Sequence, residues 1–295
     1  MLIASSAPAQ NLFVSSGGNI VEFTPGGAQS TFASGLAIPS YLAFNSAGNL
    51  FVTDAGNNNI YEFTPGGARS TFASGLNNPQ GLAFNSAGDL FVADWSPTGI
   101  INQFGGIKEF TPSGAQSPFT SGLNYPEALA FNSAGDLFVG DSGSGNIYEF
   151  TPGGARSTFA FGLYASGLDF IGGLAFNSAG DLFVAVVSNS SNPVIGSGTI
   201  YKFTPGGAQS TFASGLNAPE GLAFNSTGDL FVADEGIGQI GSGDIYEFTS
   251  GGSQSTFASG LNPDALAFQP VPEPSSLGVL AIGTTAFVVR HRKLK

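Results

Sequence analysis

The sequence predicts an all-β chain: a six-bladed β-propeller whose C-terminal strand pairs with the N-terminal strands, followed by a short C-terminal apolar helix. Three observations carry this. First, the string "NSAGDLFVAD" at 85–94 recurs in near-copies along the chain. Second, its registers start at Asn11, Asn49, Asp89, Asp136, Asp181 and Asp229, spaced 38, 40, 47, 45 and 48 residues apart, the period of propeller blades and solenoids. Third, the chain opens on an "LFV" strand (12–14) with no "GLAFN" strand before it, and the repeats end on "DALAF" (264–268) with no "LFV" strand after it. The two orphans complete one another only if both ends share a blade, which an open solenoid does not require.

The second unit shows the elements in order. "LFVTD" (50–54) is apolar on both faces, as a strand between two stacked sheets must be. "IYEFT" (60–64) follows, then "PGG" (65–67), a turn in which Pro presets φ and Gly accepts a positive one. "ARSTFA" (68–73) is more polar and belongs at the blade's outer edge. "GLAFN" (81–85) is the channel strand, and "SAGD" (86–89) turns the chain into the next "LFVAD", with Gly88 expected in the left-handed region. Only 9% of residues are charged, yet 28 Phe within a 42% hydrophobic chain can build a core, which argues against disorder.

This polarity sorts the loops. The "SAGD" and "PGG" turns share one end, here the lower, and are nearly identical between units. The loop after "LFVAD" and the connection "SGLNNPQ" (74–80) share the upper end, where insertions at 95–106, 187–198 and 235–243 distinguish individual units. An invariant scaffold with a varied upper surface places function on the upper face.

Two rings converge there. Ser40, Gln80, Glu127, Gly172, Glu220 and Asp264 open the channel strands. Glu127, Glu220 and Asp264, with the Gln80 amide, have the oxygen chemistry of a Ca²⁺ site at the channel mouth, although no cofactor is required by the sequence. The plainer reading is solvated residues at strand starts. Ser16, Asp54, Asp94, Asp141, Val186 and Asp234 end the "LFV" strands. Their carboxylates are expected to accept hydrogen bonds from the following loop. Trp95, the only Trp, opens the first insertion as either a sugar-stacking platform or loop packing.

Several chemistries are excluded. There is no Cys, hence no disulfide, thiol or zinc–thiolate chemistry. The single His, His291, sits in the tail, so the propeller has no imidazole base. No G-x-S-x-G, HExxH or P-loop pattern appears. The net charge is −12, and Arg69, Lys108, Arg156 and Lys202 are the only cationic side chains upstream of the tail, so the body repels nucleic acid.

"PQGLAFNSAGDLFVAD" (79–94) and "PEGLAFNSTGDLFVAD" (219–234) resemble NHL repeats and the related gluconolactonase/regucalcin-like propellers, over residues 11–268. That resemblance implies the fold and a divalent-metal position near the channel mouth. Its ligand motifs have no residue-by-residue match here, so the position alone carries over.

After Phe268 the composition changes. "QPVPEPSS" (269–276) reads as a Pro-rich linker, Leu277 to Val289 is apolar, and Arg290, Arg292, Lys293 and Lys295 form a basic stop. The apolar stretch makes about 20 Å of helix, short of the roughly 30 Å hydrocarbon core, and its basic flank sets the orientation in a bilayer. The segment resembles the PEP-CTERM sorting tail of Gram-negative bacteria, with Pro272, Glu273 and Pro274 as its motif. The resemblance implies export, transient membrane insertion, an exosortase-type partner, and delivery to the cell envelope or an extracellular polysaccharide matrix. Residues 1–10, "MLIASSAPAQ", read as the remnant of a secretion signal, with "APA" (7–9) as a cleavage pattern before Gln10. The expected function is an exported, non-enzymatic binding or scaffold module; the alternative is a divalent-metal-dependent, lactonase-like hydrolase at the channel mouth.

Overall fold

The computed structural model describes residues 9–95, 105–163, 169–187, 198–236 and 241–271. Its strands form six four-stranded antiparallel sheets around a central axis. Blade 1 joins β1 (Leu12–Ser16), β2 (Asn19–Phe23) and β3 (Gln29–Ser34) to the last strand, β24 (Pro263–Phe268). Blade 2 holds β4 (Pro39–Phe44), β5 (Leu50–Asp54), β6 (Asn59–Phe63) and β7 (Arg69–Ala73). Blade 3 holds β8 (Pro79–Phe84), β9 (Leu90–Asp94), β10 (Gly105–Phe110) and β11 (Gln116–Leu123). Blade 4 holds β12 (Pro126–Phe131), β13 (Leu137–Asp141), β14 (Asn146–Phe150) and β15 (Arg156–Ala160). Blade 5 holds β16 (Phe170–Phe176), β17 (Leu182–Val187), β18 (Gly198–Phe203) and β19 (Gln209–Leu216). Blade 6 holds β20 (Pro219–Phe224), β21 (Leu230–Asp234), β22 (Gly243–Phe248) and β23 (Gln254–Leu261).

Closure occurs where the orphan strands predict it. β24 pairs antiparallel with β1, Leu12 opposite Phe268 and Val14 opposite Leu266. Ser15 supports the bulge in this pairing, its Oγ accepting from the Ala265 N–H at 2.9 Å. The pairing covers the inner edge of β1, which would otherwise stay open to another strand.

Packing between blades rests on a phenylalanine triad. Phe51 meets Phe72 of its own blade and Phe84 of the next edge-on, both with ring centroids 5.0 Å apart. Phe13, Phe91, Phe138 and Phe183 repeat the arrangement. Phe231, with Phe257 and Phe268, completes it across the closing blade. Each buried ring contributes about 1.5–3 kcal/mol from burial and each edge contact about 0.5–1.5 kcal/mol.

The lower turns are self-supporting. In the 85–89 turn the Asn85 Oδ1 accepts from the N–H groups of Ala87 and Asp89 at 3.0 and 2.8 Å. Gly88 takes φ +89°, where a side chain would be strained. The outermost strands, such as β7, are the most exposed, as their polarity predicts.

Among the described residues the regular elements are all strands, and no helix is long and apolar enough to cross a membrane. The apolar helix expected at Leu277–Val289 lies outside the described residues. So do Pro272, Glu273, Pro274, the basic stop, residues 1–8 and most of the three upper insertions.

Candidate functional site

The channel strands β4, β8, β12, β16, β20 and β24 pack each against the next. This close approach requires small residues. A Cβ at Gly81 would collide with the Glu127 carbonyl oxygen, and one at Gly173 with that of Glu220. The aligned position holds Ala128, Gly221 and Ala265 in three other blades but Tyr41 in blade 2. Tyr41 uses the space the small residues leave. Its hydroxyl crosses the channel and donates to the Gly172 carbonyl of the opposite blade at 2.6 Å, so the channel is plugged.

Above this plug lie the carboxyls of the first ring. Glu127 accepts from Ser142 Oγ at 2.7 Å, and Ser142 in turn accepts from the Ile171 N–H at 3.0 Å. Burial pushes Glu127 up to about 7, against the lowering effect of Ser142. Burial, then the charges of Glu235, Asp264 and Glu127, hold Glu220 well above the usual carboxylate range. Asp264 is pushed up to about 7 by burial and by Glu235. Burial and the same three carboxylates raise the Tyr41 hydroxyl. The mouth is thus a shared low-dielectric bowl in which charge is disfavoured.

Beside it is a cavity of about 540 Å³ lined by Trp95, Asn124, Tyr125, Glu127, Ser142, Gly143, Asp169, Phe170 and Glu220, a volume typical of small-molecule sites. Trp95 is anchored by its Nε1–H, which donates to the Pro126 carbonyl at 2.7 Å. Its ring meets Tyr125 edge-on at 5.1 Å. Tyr125 has φ +57° and is 55% exposed; a bulky residue held there costs on the order of 1–3 kcal/mol. Other grooves, of about 460 and 240 Å³, sit at equivalent lower inter-blade positions and are walled by triad phenylalanines. They repeat with the scaffold, whereas the upper cavity occurs where the start of the first insertion, Trp95, meets the connection that ends in Asp169 and Phe170.

The fold therefore brings Trp95, Glu127 and Glu220 into one cavity and places Asp264 in the same electrostatic environment. Gln80 stays apart: it is buried, and its amide reaches back to the Asn78 carbonyl at 3.5 Å. Among the described residues no group of three or more His, Cys, Asp or Glu side chains is arranged to hold a metal ion, Glu127, Glu220 and Asp264 included. Tyr41, Tyr125, Ser142, Asp169 and Phe170 were not singled out by the sequence. Tyr41 carried a signal, as the one large residue at a Gly/Ala position, and Tyr125 another, as an aromatic just before the strand-opening Pro126.

The second ring behaves differently from expectation. The carboxylates bond mainly to the connection that precedes their blade. Asp54 accepts from the N–H groups of Ala37 and Ile38 at 3.0 and 2.8 Å. Asp94, Asp141 and Asp234 accept from Asn77, Asn124 and Asn217 at 2.6, 2.6 and 2.9 Å. The reason is topological: the incoming connection runs past the upper end of the second strand before entering the first. These residues tie each blade to its predecessor.

Residues 270–293 match the PEP-CTERM protein-sorting motif. The tail is a PEP-CTERM sorting signal. A PEP-CTERM tail marks a chain for export and for recognition by an exosortase-type sorting enzyme. No curated protein matches the chain. Among solved structures, it resembles a chain of a nidogen/laminin complex, at 17% identity over 88% of this chain and 98% of that one, with a TM-score of 0.71. It also resembles a calcium-binding regucalcin from Agrobacterium tumefaciens, at 13% identity over 87% of each chain and a TM-score of 0.62. A virginiamycin B lyase from Staphylococcus aureus gives 18% identity over 86% of each chain and a TM-score of 0.59. At these identities the likeness is one of fold, and propellers of this shape serve enzymes and binding proteins alike.

Proposed function

We propose that this PEP-CTERM propeller is an exported, non-enzymatic binding module that holds a saccharide in its upper cavity, at the cell envelope or in the extracellular polysaccharide matrix of a Gram-negative bacterium. The single observation that supports this reading is the seating of Trp95 and Tyr125 beside Glu127 and Glu220 in one cavity. Aromatic faces stack on the apolar faces of sugar rings, and carboxyls accept hydrogen bonds from their hydroxyls. Because Trp95 is the only Trp, intrinsic fluorescence reads this site directly. Titrating the purified full chain with a panel of oligosaccharides is expected to shift Trp emission saturably for at least one, and Tyr125→Ala is expected to weaken that binding about tenfold or more. A flat emission across the panel rejects the reading.

A second reading, a lactonase-like hydrolase, is favoured by Glu127 and Asp264 titrating near neutrality, where acid–base catalysis works best. Lactone hydrolysis by the full chain, with Ca²⁺ and with chelator, separates the two: turnover abolished by Glu127→Gln supports the hydrolase.

A further inference from the structure

The second-ring carboxylates offer an internal comparison, because the same position recurs in four blades with different completions. Asp54 satisfies both oxygens with two N–H groups and the Asn57 amide at 2.8 Å. Asp94 adds an ion pair with Lys108 at 2.6 Å. Asp141 adds a hydrogen bond from Ser144 Oγ at 2.7 Å. Asp234 has the Asn217 N–H on Oδ2 and nothing on Oδ1, although the residue is only 3% exposed. A buried carboxylate oxygen without a donor costs free energy and needs an explanation.

The cross-strand neighbour sharpens the anomaly. Asp54 and Asp141 stand opposite Asn59 and Asn146, whereas Asp234 stands opposite Asp244. Directly paired residues project on the same side with Cβ atoms about 4.5–5.5 Å apart, so two carboxylates face one another where other blades pair an acid with an amide. Among the described residues the side chain of Asp244 is bonded by Tyr246, whose hydroxyl donates to Oδ2 at 3.0 Å. The turn beside them is rich in oxygen: a Cβ at Gly243 would meet the Asp234 and Glu235 carbonyls at 2.7 and 2.5 Å. No described cationic side chain answers these charges. Lys108 and Lys202 are paired elsewhere, and Arg69 and Arg156 lie over Tyr61 and Tyr148.

We propose that Asp234 and Asp244 form a Ca²⁺ site at the upper rim of blade 6, completed by the main-chain carbonyl oxygens of Asp234 and Glu235 and by water. The cation takes the role that Lys108 plays in blade 3. Two carboxylates plus carbonyls suit a hard ion of flexible geometry, and suit Mg²⁺ poorly because it demands a near-ideal octahedron. This site uses none of the channel-mouth carboxyls Glu127, Glu220 and Asp264. Asp244, Tyr246 and the Asn217 N–H are the groups that act on Asp234.

The test is a thermal and calorimetric titration of the purified full chain, stripped with chelator, with CaCl₂ and then MgCl₂. At pH 7.5 Ca²⁺ is expected to bind stoichiometrically and raise Tm by roughly 5 °C at about a hundredfold excess over Kd. Mg²⁺ is expected to bind at least tenfold more weakly. Asp244→Asn recreates the Asp141/Asn146 pairing, so it should fold, lose the Ca²⁺ response and match or exceed the Tm of the metal-free native chain. Absence of a Ca²⁺ response in the native chain, or its survival in Asp244→Asn, overturns the proposal.

Discussion

Single residues set the electrostatics of the channel mouth. Glu127 and Asp264 titrate near 7 in the folded chain because burial disfavours their charged forms. Once unfolded they return to the ordinary carboxylate range. As pH rises from about 4.5 to 7, the unfolded chain loses these protons first, so the folded state binds more protons and its stability falls. The Tm of the full chain in chelator should therefore be higher at pH 5 than at pH 8. Glu127→Gln, which keeps the shape and the bond with Ser142, should flatten that slope, as melts across the pH series would show. An unchanged slope would mean Glu127 is ionised at neutral pH. None of this was readable from the string: Glu127 and Glu220 were picked out as ring members, but their burial comes only when channel strands of different blades are brought together.

At the level of the element, one design recurs: a buried "LFV" strand, an outer strand that supplies a second Phe, and a channel strand that supplies a third. Phe91, between Phe119 and Phe131 at 5.0 and 5.1 Å, belongs to two blades at once. Phe91→Ala should cost about 3–5 kcal/mol, measured as a fall in denaturation midpoint with unchanged slope. The strands, their order and their turns were legible because short apolar strings and Gly/Pro punctuation are local properties repeated in each unit. The partners of Asp54, Asp94, Asp141 and Asp234 were not. They come from a connection seventeen residues upstream in sequence, and proximity across a blade leaves no mark on local pattern.

The whole molecule is held shut by one strand. β24 supplies the inner strand of blade 1 and the Phe268 ring that packs on Phe231. A chain ending at Asn262 would lack both and expose the inner edge of β1, so it should lose cooperative unfolding and self-associate. Calorimetry and size-exclusion chromatography would check this; a monomeric, sharply melting truncation would refute closure as the source of cooperativity.

The sequence by itself determined the repeat, the blade count, the closing strand and the sorting tail, because each is written as contiguous pattern or as a count of like segments. Only the tertiary structure decided that the channel is plugged, that Trp95 meets Tyr125 and Glu127 in one cavity, and that Asp234 lacks the partner its three counterparts have. Those outcomes depend on distances between side chains far apart in the chain, which the ring imposes when it closes.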